Sequence, residues 1–359
     1  VNEPTLTPAV VIGTGLVGAS VGAALTAAGV EVHLIDAVSS HARVAASRGG
    51  GVLEPIDPGT VRLVVVAVPP AQLAEVIADA LQTYAKATIT DVGSVKGTVL
   101  VDLRARGVSL ARYVGSHPMA GSQRVGPLTA RADLFEDRTW VITPHDTSRA
   151  KAVLTVHALA RACGARIVSM GATHHDEAVA QVSHLPQLMS SLTASRLNEV
   201  PDEHLNLAGQ GLRDVTRIAG SDPRLWTQII SANSEAVRAE LEAVRDALND
   251  LLDGWGDPEA LRRFLAAGRQ GTRAIPGKHG LGGVQYAQVV VTIPDAPGAL
   301  ARLFADIEAA GVNVEDVRIE HDPAREVGYL AVQVTKPVAR SLENAMIEAG
   351  WTLRPAEAL

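Results

Sequence analysis

The sequence predicts an α/β chain in three parts: a half built on a parallel sheet, an all-helical middle and a βαββαβ tail. Three observations carry this prediction. Apolar strand-length runs alternate with helical patterns as far as Gly171. From Thr173 to about Leu252 the patterning is helical, with no convincing strand. Residues 268–283 are rich in Gly, Pro and basic side chains, and the patterns after them follow a ferredoxin-like order. The expected boundaries are 1–171, 172–267, a linker at 268–284, and 285–359.

The first part starts with the strand Ala9–Ile12. Gly13-Thr-Gly15-Leu-Val-Gly18 follows at once, and Ala19 to Ala28 reads as a helix. Gly29 ends it, and the strand Val30–Ile35 closes on Asp36. In such a unit the first glycine permits a tight turn, the second lets backbone approach a pyrophosphate, and the third allows close helix–strand packing. The helix N-terminus offers unpaired N–H groups and a positive dipole end to phosphate. Strand, loop, helix and acid stand at the required spacing, so Gly13, Gly15, Leu16, Val17 and Gly18 are expected to hold a dinucleotide. Asp36 suits a ribose 2′-hydroxyl and would repel a 2′-phosphate, which favours NAD over NADP. A plain helix N-cap is its alternative role.

The unit repeats. Val61–Val68 is an apolar run suited to the buried middle of a parallel sheet, and Val68 at its end joins the expected cofactor set. Pro69-Pro70 stops it and starts a helix through Leu81. The strand Ala87–Asp91 runs into Val92-Gly-Ser94-Val-Lys-Gly97 and another helix. Ser94 therefore shares a rim with the glycine loop, as a helix N-cap, a site residue or both. A run at Ala111–Gly115 leads into Gly115-Ser-His117-Pro-Met-Ala-Gly-Ser-Gln123. Its glycines and proline should end the strand and leave His117 at the carboxyl edge, where ligands bind in open α/β sheets. Strands at Arg138–Thr143 and Ala165–Ser169 flank a helix from Ser148 to Ala162.

In the middle part helices are expected at His174–Asn198, Glu203–Ala219 and Ser221 to about Leu252. Pro186 should kink the first beside His184, and Asp176 suits its N-terminal dipole. Arg213 and Arg217 are four apart with Asp214 beside them. They could clamp a carboxylate or simply form a solvated face. His174, His175 and His184 lack metal-site spacing, so no metal is expected. A helical domain of this size cannot easily bury its own apolar faces, which points to a homodimer. The tail shows no catalytic cluster and reads as a binding or pairing module.

Composition agrees with these parts. The chain has 359 residues, enough for two or three domains. Apolar residues make up 47% but aromatics only 3%, so the cores are aliphatic. A net charge of -7 argues against a nucleic-acid partner. The single cysteine, Cys163, excludes an internal disulfide. No apolar run reaches membrane-spanning length and no signal-peptide pattern opens the chain, so a cytoplasmic protein is expected.

Taken in order, Gly13–Gly18, Asp91-Val-Gly-Ser-Val-Lys-Gly97, Gly115-Ser-His-Pro-Met-Ala-Gly121, Val182-Ser-His-Leu-Pro186 and Asp214-Val-Thr-Arg-Ile-Ala-Gly-Ser-Asp-Pro223 resemble the TyrA family. These are the prephenate and arogenate dehydrogenases of tyrosine biosynthesis. Ile293-Pro-Asp-Ala-Pro-Gly-Ala-Leu300 and Gly311-Val-Asn-Val314 resemble an ACT domain, which often binds amino acids. The family resemblance implies that His117 meets the substrate hydroxyl, that Ser94 orients histidine, hydroxyl and nicotinamide, and that Arg217 clamps the ring carboxylate. It implies substrate-side positions for His184, Gln187 and Gln123, with Arg213 nearby. The two glutamines replace a histidine and an acid of some prephenate-using members. The ACT resemblance implies an effector site, for tyrosine or phenylalanine, near Asp295, Gly298 and Asn313.

The implied reaction is NAD-dependent oxidative decarboxylation of prephenate to 4-hydroxyphenylpyruvate. The near alternative is arogenate oxidised directly to tyrosine. A β-hydroxyacid dehydrogenase would need a catalytic lysine in the helical part, and none occurs between Lys151 and Lys278. A catalytically silent sensor of NAD and amino acids is a further alternative, opposed by the presence of Ser94, His117 and Arg217.

Overall fold

The structure is a computed structural model that describes residues 4–120, 126–275, 286–322 and 327–354. Packing divides the chain into two units, Val1–Asn249 and Asp250–Leu359. The first unit begins with β1 (Ala9–Ile12), α1 (Leu16–Ala27), β2 (Val32–Ile35), α2 (Ser39–Ser47), β3 (Leu63–Val66), α3 (Leu73–Thr83), β4 (Thr88–Asp91) and α4 (Gly97–Ala105). The strands form one parallel sheet in the order β2-β1-β3-β4. Alternate residues enter opposite cores: Val11, Leu63 and Val65 one, Val10, Val64 and Val66 the other. Burial on both faces explains why β1 and β3 are unbroken apolar runs.

A second sheet holds β5 (Gly115–Pro118), β6 (Thr139–Thr143) and β7 (Arg166–Ser169), with α5 (Ala150–Ala162) between the last two. Strand β5 runs antiparallel to β6, whereas β6 and β7 are parallel. This differs from the expected strand at Ala111–Gly115. There the backbone makes only a bridge from Tyr113 to Ile89, and the ladder starts at Gly115. The cause is partner supply: residues 139–143 offer 115–118 a full antiparallel edge, which outweighs their weak strand propensity. His117 consequently sits inside β5, opposite Val141, one residue before the strand's carboxyl end.

The helices of this unit are shorter than the sequence patterns suggest. The expected His174–Asn198 helix is α6 (Ala172–Val179), a π-helical turn at Ala180–His184, and α7 (Leu185–Arg196). Pro186 lacks an N–H and its ring would strike the carbonyl four residues back, and the wide turn lies just before it. The expected Glu203–Ala219 helix becomes α8 (Asp202–Leu205), α9 (Gln210–Thr216) and a 3₁₀ turn, Arg217–Gly220. The third becomes α10 (Pro223–Ala232) and α11 (Ser234–Asp253), interrupted at Asn233.

The second unit includes α12 (Pro258–Ala274), so the first seven residues of the expected linker, 268–274, are helical. Arg, Gln, Thr and Ala continue the helical run there, and Gly268 and Gly271 are tolerated at modest cost. Most of the remaining linker, residues 276–284, lies outside the described residues. The tail is β8 (Tyr286–Pro294), α13 (Ala299–Ala309), β9 (Asp316–Asp322), β10 (Val327–Thr335), α14 (Lys336–Glu348) and β11 (Thr352–Arg354). Its antiparallel sheet, ordered β11-β8-β10-β9, packs Val291, Leu330 and Val332 against Leu303 of α13 and Leu342 of α14. This is the expected ferredoxin-like arrangement.

Candidate active site

The glycine loop is held by sterics on two sides. Gly13 has φ +93°, and a Cβ there would overlap the Ala67 carbonyl. A Cβ at Gly18 would overlap the Gly13 carbonyl, so helix α1 can approach the loop only without a side chain. At Gly15 a Cβ would meet nothing within 4 Å, which leaves open space at the N-terminus of α1. Leu16 and Val17 form the first turn of α1, and Val68 lies against Gly13. The Asp36 carboxylate ties the second strand to this loop. It accepts hydrogen bonds from the Thr14 amide at 2.6 Å, the Thr14 hydroxyl at 2.7 Å and the Val38 amide at 2.7 Å. Burial tends to raise its pKa, but these donors and the charge of His41 outweigh burial and hold it below the usual carboxylate value. An anion fixed one strand away from an open helix N-terminus fits a dinucleotide with a free ribose 2′-hydroxyl.

Beyond this rim, β5 presents His117, half-buried. Its Nδ1 lies 2.9 Å from Nε2 of the buried His175 in α6, the two rings meeting edge to face. His175 Nδ1 lies 2.7 Å from Oδ1 of Asp176. That carboxylate also accepts the Lys96 amide at 2.9 Å and the Gly97 amide at 2.7 Å, at the start of α4. Helix α4 has no capping side chain of its own, so an acid some 80 residues away supplies the cap. Asn233, freed by the break between α10 and α11, donates to the Asp176 carbonyl at 2.8 Å and meets His184 Nδ1 at 3.1 Å.

Below β5 a buried ion pair joins Lys96 Nζ to Asp91. The Tyr113 hydroxyl donates to the same carboxylate at 2.8 Å, and the Gly93 amide at 2.9 Å, so its charge is fully compensated. Burial pushes His117 well below its ordinary pKa, and repulsion from any positive charge on His175, Lys96 or His184 would act in the same direction. A histidine in that state is neutral at pH 7 and able to accept a proton.

Other sequence-predicted residues fall in different places. Ser94 is half-buried between β4 and α4, on the rim as expected. His184 lies in the π-helical turn, 1% exposed, edge-on to Trp226 and 3.1 Å from Asn233. Gln187 is buried and lines an open groove of about 330 Å³ between α7 and α10, with Ala219 and Trp226. Arg213 and Arg217 lie exposed on α9 and the turn after it, packed on α7. Gln123 lies outside the described residues. In the tail, Asp295 and Gly298 precede α13 and Asn313 follows it. Eleven helical residues, about 16 Å, separate them, so one copy of the chain does not gather the three expected effector residues.

Residues 21–169 match the family described as prephenate dehydrogenase, nucleotide-binding domain, and residues 171–265 match prephenate dehydrogenase, dimerization domain. The chain belongs to the prephenate dehydrogenase family. A protein of Streptomyces niveus named "Probable prephenate dehydrogenase NovF" is 36% identical, over 96% of this chain and 98% of its own length. A cyclohexadienyl dehydrogenase of Zymomonas mobilis is 32% identical over 65% of this chain and 83% of its own. The solved prephenate dehydrogenase of A. aeolicus, in complex with hydroxyphenyl propionate and NAD+, is 25% identical with a TM-score of 0.67, over 76% of this chain and 99% of that one.

In this prephenate dehydrogenase family member, the sequence did not connect His175, Asp176, Asn233 or the Asp91–Lys96 pair with the surroundings of His117. His175-Asp176 was visible as a dipeptide whose acid suits a helix start. Nothing local shows that the helix it caps is α4, or that the histidine beside it meets His117.

Proposed function

We propose that this chain catalyses the NAD-dependent oxidative decarboxylation of prephenate to 4-hydroxyphenylpyruvate. What carries the proposal is His117, half-buried near the carboxyl end of β5 and joined to His175 and Asp176, in a chain of this family. NAD+, when bound, supplies the hydride acceptor. His117 Nε2 holds the substrate hydroxyl proton while that carbon becomes carbonyl-like. As the ring carboxylate leaves as carbon dioxide, its bonding electrons enter the ring, and His117 returns the proton to the new phenol oxygen. Atoms and charge balance, and aromatisation drives the step, so the protein mainly has to position the reactants. Ser94 orients His117 and the hydroxyl. Arg217 binds the ring carboxylate, with Arg213, Gln187 and Gln123 around the substrate's arm.

The same reading makes the chain a homodimer through its helical part and places it in the cytoplasm, consistent with the family's dimerization domain and with the lack of a membrane-spanning helix among the described residues. It makes residues 285–359 an ACT-like regulatory module, supported by the ferredoxin-like topology.

The test is NADH absorbance with prephenate and arogenate offered separately, each with NAD+ and NADP+. Prephenate with NAD+ should give the highest kcat/KM. His117→Ala should lower kcat by roughly 10²–10⁴-fold with little change in NAD+ affinity. Undiminished turnover in that variant would sink the mechanism.

A further inference from the structure

We infer that Asp176 and His175 are positioning residues that place the proton of His117 on Nδ1 and leave Nε2 bare as the acceptor. The inference rests on the proposed role of His117 and deepens it. The donors around Asp176 decide the proton positions. The Lys96 and Gly97 amides can only donate, one to each carboxylate oxygen, so both oxygens accept. His175 Nδ1, 2.7 Å from Oδ1, must then carry hydrogen. With that as its one ring proton, His175 keeps a lone pair on Nε2, and His117 Nδ1, 2.9 Å away, donates to it. Neutral His117 has one proton, so Nε2 carries none. An unconstrained histidine has no such fixed tautomer; the partner of one ring nitrogen sets the state of the other. When His117 takes up the hydroxyl proton, the positive charge that forms has the lone pair of His175 beside it and the Asp176 carboxylate next in line.

Asp176 has a second consequence. Its grip on the Lys96 and Gly97 amides fixes the chain immediately after Ser94. One carboxylate of the helical segment thus sets the tautomer of His117 and anchors the loop that carries Ser94. This follows from the geometry of four hydrogen bonds, and the depressed pKa of His117 agrees with a ring that is neutral at rest.

The test reads the tautomer directly, by ¹⁵N shifts of histidine-labelled full-length enzyme at neutral pH, with the His117 signals identified by their loss in His117→Ala. Wild type should show Nδ1 protonated and Nε2 bare. In Asp176→Asn the amide can turn its NH2 to His175 Nδ1. His175 would then carry its proton on Nε2 and His117 would carry its proton on Nε2. The expected result is that switched tautomer, a kcat lowered by roughly 10²–10⁴-fold, and NAD+ binding by fluorescence titration unchanged within about threefold. His175→Phe keeps ring volume and leaves Asp176 to cap α4. It should remove the Nδ1 preference, and it carries the test if Asp176→Asn does not fold. A wild-type His117 protonated on Nε2, or a tautomer unchanged in the variants, would overturn the inference. The tautomer is read without substrate, so failure of wild type to turn over prephenate would refute the proposed function while leaving this assignment standing.

Discussion

His184 shows how burial can dominate a residue's chemistry. The ring is 1% exposed, and burial is the main cause that lowers its pKa to about 4, with Asp176 opposing and His175 assisting. The unfolded chain titrates near 6.5. Between those values the unfolded state takes a proton that the folded state refuses, so stability falls as pH drops from about 6.5 to about 4. Allowing for solvent screening, the loss should reach roughly 2 kcal/mol. His117 acts in the same direction. Urea denaturation at neutral and acid pH should show the decline, and His184→Gln should flatten it; an equally steep decline in that variant would exclude His184. The sequence set His117 at a strand's carboxyl edge and His184 inside a helix beside Pro186. Burial and partners separate them.

Two helix ends depend on residues distant in sequence. Asp176 caps α4 across about 80 positions. Arg112, just before the second sheet, closes the other end of α3: its guanidinium donates to the Leu81 carbonyl, to Tyr84 O at 2.8 Å and to Ala87 O at 2.7 Å. The Leu81 carbonyl, in the last turn of α3, would otherwise lack an intrahelical donor. Arg112→Met should destabilise the fold by about 2 kcal/mol, read as a lower thermal midpoint, because a charged donor to several backbone carbonyls is lost. An unchanged midpoint would show that water replaces it. Strands β1 and β3 were legible because burial on both faces writes a continuous apolar run. The breaks at Asn233 and before Pro186 were less so. A helical pattern shows which face is apolar, but an interruption at Asn233 is stabilised by partners on α6 and the π-helical turn.

Taken whole, the chain joins an oxidoreductase core to a tail with its own hydrophobic core, built on β8, β10, α13 and α14. If that tail is an amino-acid sensor, isothermal titration of the full chain with tyrosine and with phenylalanine should show saturable binding, and Gly298→Val should weaken it, since Gly298 has φ +84° at the start of α13. No heat with either amino acid would remove these effectors. The split of Asp295 and Gly298 from Asn313 by the length of α13 means that any site using all three needs more than one copy of the chain.

The amino-acid order alone determined the parallel sheet, the glycine loop with Asp36, the helical middle and the ferredoxin-like tail, and it singled out His117 as a candidate. Each rests on short-range pattern: burial periodicity, backbone sterics, or a spacing within one βαβ unit. The partners of His117 came only with the folded chain. His117, His175, Asp176, Lys96 and Asn233 are spread over four separate stretches of sequence, and hydrogen bonds between them depend on distances of about 3 Å that no periodicity encodes.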